Sequence, residues 1–262
     1  MGARGQAMGN AVTCASDEWS ILNNPAGMAG TSGTTVALGY DALPALPAFG
    51  KAGLAISTSS GTFAFGLGAF RFGDVVYNEQ IVSVGAATRW NHTALGVTAN
   101  YIRYATDGKG NKGMFTVSAG GITQLNSWLR VGARISNINQ PWLSKQFDER
   151  LPTTLAMGLL FALAANTVFV TEVEKRINDV ATGRAGLEFT VQKRLLARVG
   201  FQINPQTISG GLGFRLRYFN ADYSMAHVPA FGTRHQASIT IRLGKSKRVE
   251  TETTQTIKTG EK

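Results

Sequence analysis

The side chains with chemistry to offer are three histidines, one cysteine and a spaced set of arginines. His92, His227 and His235 are scattered along the chain and none has a nucleophile beside it in sequence. A loop histidine of this kind reads as solvated. Neither a Gly-x-Ser-x-Gly elbow, a His-Glu-x-x-His pair nor a cysteine pair occurs, so the common hydrolase and metal signatures are missing. Gly108-Lys109-Gly110-Asn111-Lys112-Gly113 fits the dinucleotide fingerprint letter for letter. An alternating segment follows it where that motif requires a helix, so it reads as a hairpin loop. Arg130, Arg134, Arg184, Arg198, Arg215, Arg217 and Arg242 are more informative, because most share a face of an alternating segment. Guanidinium groups so placed either pair with carboxylates such as Glu188, Asp222, Asp17 and Glu18 or make an anion-favouring interior. Pairing that fills a closed lumen is the favoured expectation.

Composition bounds what can position these residues. The 262 residues are 44% hydrophobic and suit one large all-β domain, with no break that forces a second. Charged residues are 16%, well below the roughly 25% of an average soluble domain, so the surface is poor in charge. The net charge of +10 suits nucleic acid or an anionic head-group surface alike. Cys14 alone excludes a disulfide scaffold. The longest apolar run, 155–165, lies between Pro152 and Asn166 and falls short of the roughly 20 residues of a membrane-spanning helix.

Period-two alternation dominates from Thr34 to Leu243, which places one residue class on each face of a strand. Val82, Val84, Ala86 and Trp90 oppose Ser83, Gly85, Ala87 and Arg89; Leu129, Val131, Ala133 and Ile135 oppose Arg130, Gly132, Arg134 and Ser136. Further segments repeat the pattern, including one that runs through Leu212, Phe214, Leu216 and Tyr218. A soluble sandwich also alternates, so the connections discriminate. Short turns read at Ser59-Ser60-Gly61, Asn91-His92, Asn126-Ser127, Asn166-Thr167, Lys193-Arg194 and Asn220-Ala221. Mostly longer connections lie between them, at 43–49, 73–78, 106–113, 137–152, 176–183, 204–207 and 227–234. Unequal ends and an even count of about fourteen strands, each of roughly 9 to 14 residues, are the transmembrane-barrel pattern. The fold class expected is therefore all-β: a closed antiparallel transmembrane β-barrel with its apolar face toward lipid. Trp90, Tyr101, Tyr104, Trp128, Trp142, Tyr218 and Tyr223 fall near presumed strand ends, where an interfacial girdle would sit.

The first thirty residues do not alternate. Ala3-Arg4-Gly5-Gln6-Ala7-Met8-Gly9, then Asp17-Glu18 and Asn23-Asn24-Pro25-Ala26-Gly27, resemble the N-terminus of the FadL-like outer-membrane barrels, most closely their PorV- and PorQ-like branch from Bacteroidetes-type bacteria. The resemblance covers roughly a tenth of the chain, and the closing segment from His235 to Gly244 looks like such a family ending. It implies a hatch over 1–32 that plugs a fourteen-stranded barrel over 33–244, with Asn24, Pro25 and Gly27 shaping its turn. Asp17 and Glu18 would then meet inward arginines. The other reading of the same residues is a short helix capped by Asn24 or ended at Gly27, with no plugging role. Two features depart from the family pattern: the chain runs past Gly244 into a polar tail, 245–262, expected to be periplasmic, and its loops are too short for an elaborate docking surface.

The resemblance implies a non-enzymatic protein of the bacterial outer membrane, bathed in outer-membrane lipid. It would pass small hydrophobic molecules or assist type IX-like protein secretion through secretion-machinery partners. Uptake predicts an apolar pocket between hatch and wall and a lateral gap; an accessory role predicts a sealed lumen. Competing readings are an outer-membrane hydrolase, for which His235 with Ser209 or Asp222 is the least poor site, and a soluble basic β protein. Nucleic acid is not expected as a partner, because basic residues do not interleave with exposed aromatics, and no cofactor or metal is expected. No export leader is visible, so either residue 2 follows a trimmed leader or the membrane assignment fails.

Overall fold

In a computed structural model the described residues are 1–108, 110–144 and 146–243. The tail expected at 245–262 lies outside them. The alternating segments form strands β1 (Gly33–Ala42), β2 (Lys51–Ser60), β3 (Phe63–Gly73), β4 (Tyr77–Trp90), β5 (Thr93–Thr106), β6 (Gly110–Gln124) and β7 (Leu129–Ser136). A two-stranded hairpin, β8 (Trp142–Ser144) and β9 (Glu149–Arg150), interrupts the series. It resumes with β10 (Thr154–Ala164), β11 (Thr167–Arg176), β12 (Thr182–Gln192), β13 (Leu195–Ile203), β14 (Thr207–Arg215), β15 (Phe219–Val228) and β16 (Gly232–Leu243).

Apart from the hairpin, each strand pairs antiparallel with its neighbours in sequence, and β1 pairs with β16 to close a barrel of fourteen. Closure matters because a strand in hydrocarbon cannot leave an edge of unpaired amides. The pleat sends Val82 and Val84 outward, about half exposed, while Ser83 and Ala87 between and beyond them are buried. Leu187, Phe189, Val199, Phe201, Ile239 and Ile241 point outward too. The apolar class therefore faces away from the bore, the reverse of a sandwich, whose apolar faces are enclosed.

One end carries the short turns and both ends of the barrel chain; the other carries the longer loops. Five of the six turns fall where the sequence indicates. The sixth is at 216–218, not at Asn220-Ala221, whose residues sit inside β15 opposite Arg215 and Phe214. The alternation runs on through Leu216 and Tyr218 because these turn residues stay exposed at the barrel's outer rim. Loops expected at 106–113 and 227–234 are shorter than predicted, since β5 and β6 pair as far as Thr106 and Gly110, and β15 and β16 as far as Val228 and Gly232.

Trp90, Trp128 and Tyr218 lie exposed at the turn end, with Trp128 stacked on Phe161 at 6.1 Å between centroids. Tyr101 packs against Phe115 toward the loop end. Three of the aromatics placed in the girdle by sequence are elsewhere. Tyr104 shares the inward parity of buried Ile102, Tyr223 is mid-strand, and Trp142 lies in the long loop under the Arg150 guanidinium.

Residues 1–32 fill the middle of the bore. A short helix, α1 (Ala3–Ala7), packs on β13 to β16, and a 3₁₀ helix at Pro25–Gly30 packs on β2 to β6. Trp19, Ile21 and Met28 are buried against the inward alanines Ala37, Ala55, Ala64 and Ala87. The barrel's core thus lies between this segment and its wall. Small inward residues make the room: a Cβ at Gly200 would meet the Met8 carbonyl carbon at 2.5 Å, and one at Gly96 the Pro25 carbonyl carbon at 2.5 Å.

Candidate functional site

The N-terminal segment divides the bore into two cavities, and its polar anchors decide where they lie. Asn24 is fully buried. Its amide nitrogen donates to the Thr13 carbonyl at 2.7 Å and the Ala133 carbonyl of β7 at 3.3 Å, while its oxygen accepts from Ala26 N at 3.2 Å. It caps the 3₁₀ helix and ties that helix to the wall at once. Pro25 takes the first helical position, where its missing N–H costs nothing, and Gly27 lies so close to Ser20 and the Ala15 carbonyl that no side chain fits.

The acids differ from expectation. Asp17 pairs with Arg4 at 3.3 Å, within the segment itself, and not with a wall arginine. Glu18 accepts from the Thr240 hydroxyl at 2.7 Å. Burial and, after it, the adjacent Asp17 hold the Glu18 carboxyl above the usual carboxylate range. Two wall arginines, Arg184 and Arg198, are already engaged by acids one or two strands away. Arg184 stands opposite Glu172 and pairs with it at 2.6 Å and with Glu174 at 2.9 Å. Arg198 stands opposite Glu188 and pairs with it at 2.6 Å and with Asp222 at 2.6 Å.

The segment joins this network from inside. Arg4 reaches Glu188 at 2.9 Å, Thr13 N donates to Glu172 at 2.8 Å, and Arg134, paired with Glu174 at 2.5 Å, donates to the Asn23 carbonyl at 3.0 Å. Arg130 donates to Gln124 at 2.8 Å and to the Cys14 carbonyl at 3.5 Å. Arg215 and Arg242 project inward near the turn end, and Arg217, in the 216–218 turn, stands at the mouth beside the Tyr218 ring. Arg4, Glu172 and Glu174 were not singled out from sequence. Glu172 and Glu174, two residues apart around outward Val173, carry a signal that could have found the last two.

On the loop side of the segment lies a cavity of about 290 Å³. Ile21, Leu22 and Pro25 form its floor, Phe70, Ile81 and Ile102 give apolar walls, and Ser83, Thr98 and Asn100 with Thr116 and Ser118 of β6 make the rest of the lining polar. The barrel ladder is incomplete beside it. β6 pairs with β7 only from Ala119 to Gln124, because β7 has just 8 residues. Above that point the long loop stands in for a strand: Ile138 N donates to the Val117 carbonyl at 2.9 Å, while the Asn139 amide bonds Val117 N at 3.1 Å and the Phe115 carbonyl at 2.9 Å. On the turn side lies a larger, polar cavity of about 980 Å³, lined by Arg4, Glu18, Arg130, Arg198, Arg215 and Arg242 among others.

The barrel also separates the residues of the hydrolase reading. Ser209 is inward, bonded to Gly9 N and the Ala7 carbonyl, and Asp222 is held by Arg198. His235 is on the outer face, bonded to Tyr223 at 2.7 Å, so neither can serve it as a partner.

Among solved structures, the P. putida toluene transporter TodX aligns with a TM-score of 0.74 at 10% identity, over 94% of this chain and 99% of its own. The chain has the fold of an outer-membrane β-barrel. The monoaromatic hydrocarbon channel CymD aligns with a TM-score of 0.68 at 12% identity, over 93% of this chain and 98% of its own. The Acinetobacter baumannii outer membrane protein Omp33 is less similar, with a TM-score of 0.54 at 8% identity over 81% of this chain and 98% of its own. No family model matches the chain, and neither does any curated protein sequence.

Proposed function

We propose that this chain is a FadL-like channel of the bacterial outer membrane that admits small hydrophobic molecules, with residues 1–32 acting as its hatch and no enzymatic role. The observation that carries the reading is the cavity of about 290 Å³ between the segment and the β3–β6 wall, beside the stretch where the β6–β7 ladder stops. A cavity of about 150 Å³ already accommodates benzene, so a single-ring compound fits this larger space against the side chains of Ile21, Leu22, Phe70, Ile81 and Ile102, whereas the turn-side cavity is dominated by charged groups. The resemblance in fold to a toluene transporter and a monoaromatic hydrocarbon channel supports the same class of molecule.

The test is uptake of a labelled single-ring hydrocarbon by intact bacteria that express the protein and lack other channels of this kind. Expression should raise the rate, and Ile102→Trp, which fills the cavity, should remove most of the increment while the barrel still folds. An unchanged rate on expression, or full activity in the filled variant, contradicts the reading.

A second reading has one observation in its favour, the Ala3-Arg4 to Asn24-Pro25-Ala26-Gly27 pattern with its likeness to PorV- and PorQ-like proteins. In that case the barrel is an accessory of type IX-like secretion and its loops hold machinery proteins. Co-purification from native membranes separates the two: a stoichiometric protein partner supports the accessory role, and its absence counts against it.

A further inference from the structure

The turn-side cavity has more positive charge than its own acids can balance. Eight cationic side chains and four carboxylates line it. Three of the four acids are committed: Glu188 and Asp17 to Arg4, and Glu188 and Asp222 to Arg198. The fourth, Glu18, is turned to the Thr240 hydroxyl. Arg215 and Arg242 consequently face the cavity with no carboxylate within ion-pair distance among the described residues, and Arg130 finds only an amide and a carbonyl.

The placement of Arg215 and Arg242 follows from the register. Arg215 stands opposite Asn220, Asn220 stands opposite Thr240, and Arg242 is two residues beyond on the same inward face. The two guanidiniums therefore sit two strands apart at one end of the bore. The Asn220 amide oxygen accepts from Arg242 at 2.6 Å, which fixes one of the pair without neutralising it. Like charges held together in a partly enclosed space focus a positive field and draw anions into it. Guanidinium forks bind planar carboxylate or phosphate oxygens in bidentate geometry. The volume, about 980 Å³, falls within the roughly 300–1,000 Å³ of small-molecule sites.

We propose that this cavity is a binding site for a small multivalent anion, of the polycarboxylate or phosphate class, held between Arg215 and Arg242 with Arg130 across the bore. The site lies on the opposite side of the segment from the loop-side cavity and does not depend on that cavity's conducting anything. Two anionic groups are specified because a single one cannot engage both guanidiniums fully, and because Arg4 and Arg198 already consume the cavity's own acids.

Calorimetric titration of the folded protein in a non-ionic detergent tests this, with citrate, pyrophosphate, inorganic phosphate and acetate as probes. Saturable binding of citrate or pyrophosphate is expected, with acetate much weaker. Which of the two binds tighter distinguishes a carboxylate from a phosphate ligand. Arg215→Gln and Arg242→Gln should each weaken binding by about tenfold or more, the usual loss when a charge-assisted bond is removed. Arg215→Lys should lose less, because it keeps the charge and gives up only the fork. Arg71→Gln, on an outward position of β3, should leave affinity unchanged. Heat-modifiable gel mobility establishes that each variant is folded, and if a glutamine variant does not fold the lysine variant carries the comparison. Absence of saturable binding, equal binding of acetate, or a loss in Arg71→Gln matching that in the cavity variants overturns the proposal.

Discussion

Asn24 concentrates at one residue what holds the N-terminal segment in place. Its single amide satisfies the Thr13 and Ala133 carbonyls and the Ala26 amide, and a buried polar group stripped of its partner costs about 1–3 kcal/mol. Asn24→Leu should therefore lower stability by about 2–3 kcal/mol, read as the urea midpoint of the barrel, and should admit protease to the segment before the strands unfold. An unchanged midpoint and a protected segment would contradict that role. Glu18 gives a pH signature. Burial and Asp17 raise its pKa in the folded protein above that of the unfolded chain, so the folded state holds this proton more tightly. The resulting stability is complete at low pH and is lost as pH rises through the folded value. Glu18→Gln keeps an acceptor for Thr240 and removes the charge. Its stability relative to the parent should climb as pH rises above 4.5, the ordinary value for this side chain, and level off once the parent is ionised. A difference that does not vary with pH, measured as paired urea midpoints, would show that Glu18 is not the group responsible.

At the scale of elements, the segment and the strands are fitted by the wall's small residues. Gly200 lets Ala7 to Gly9 lie against β13 with no side chain between them. Replacing it with Val should force α1 off the wall at a cost of about 1–3 kcal/mol or more, seen as faster amide exchange over residues 3–9 with the strand ladder intact; protection equal to the parent's would contradict the fit. This level was unevenly legible. Strand faces were readable because Val82/Ser83 and Val199/Gly200 each alternate with period two, a local property. The sequence points to a turn at Asn220-Ala221, not at 216–218, because Leu216 and Tyr218 keep alternating beyond the ladder, so the pattern marks the membrane rim and not the strand end. The ion pairs needed register, which alternation does not carry: Arg184 meets Glu172 and Arg198 meets Glu188 because of where β11, β12 and β13 are aligned. Without that alignment the sequence points Asp17 and Glu18 at wall arginines, whereas Asp17 meets Arg4 and Glu18 meets Thr240. The short β6–β7 ladder is legible only as a long loop, since nothing in residues 137–153 announces that the Asn139 side chain substitutes for a strand.

The whole molecule inverts a soluble protein: its apolar class is outside, its charged pairs and N-terminal segment inside. That inversion gives the loop-side cavity a hydrophobic neighbour on the far side of the wall. It also keeps the paired arginines of the bore, Arg184 and Arg198 among them, away from lipid, where each would cost several kcal/mol near the bilayer centre. Everything proposed for uptake depends on the outer face being in contact with acyl chains. The most direct measurement is a nitroxide scan along β4, one residue at a time from Ile81 to Trp90, in a reconstituted bilayer. Collision with dissolved oxygen should oscillate with period two, high at Val82, Val84 and Ala86 and low at Ser83, Gly85 and Ala87. A flat profile, or one in which the labels at Val82 and Val84 meet water-soluble relaxants instead of oxygen, would contradict the membrane-spanning barrel.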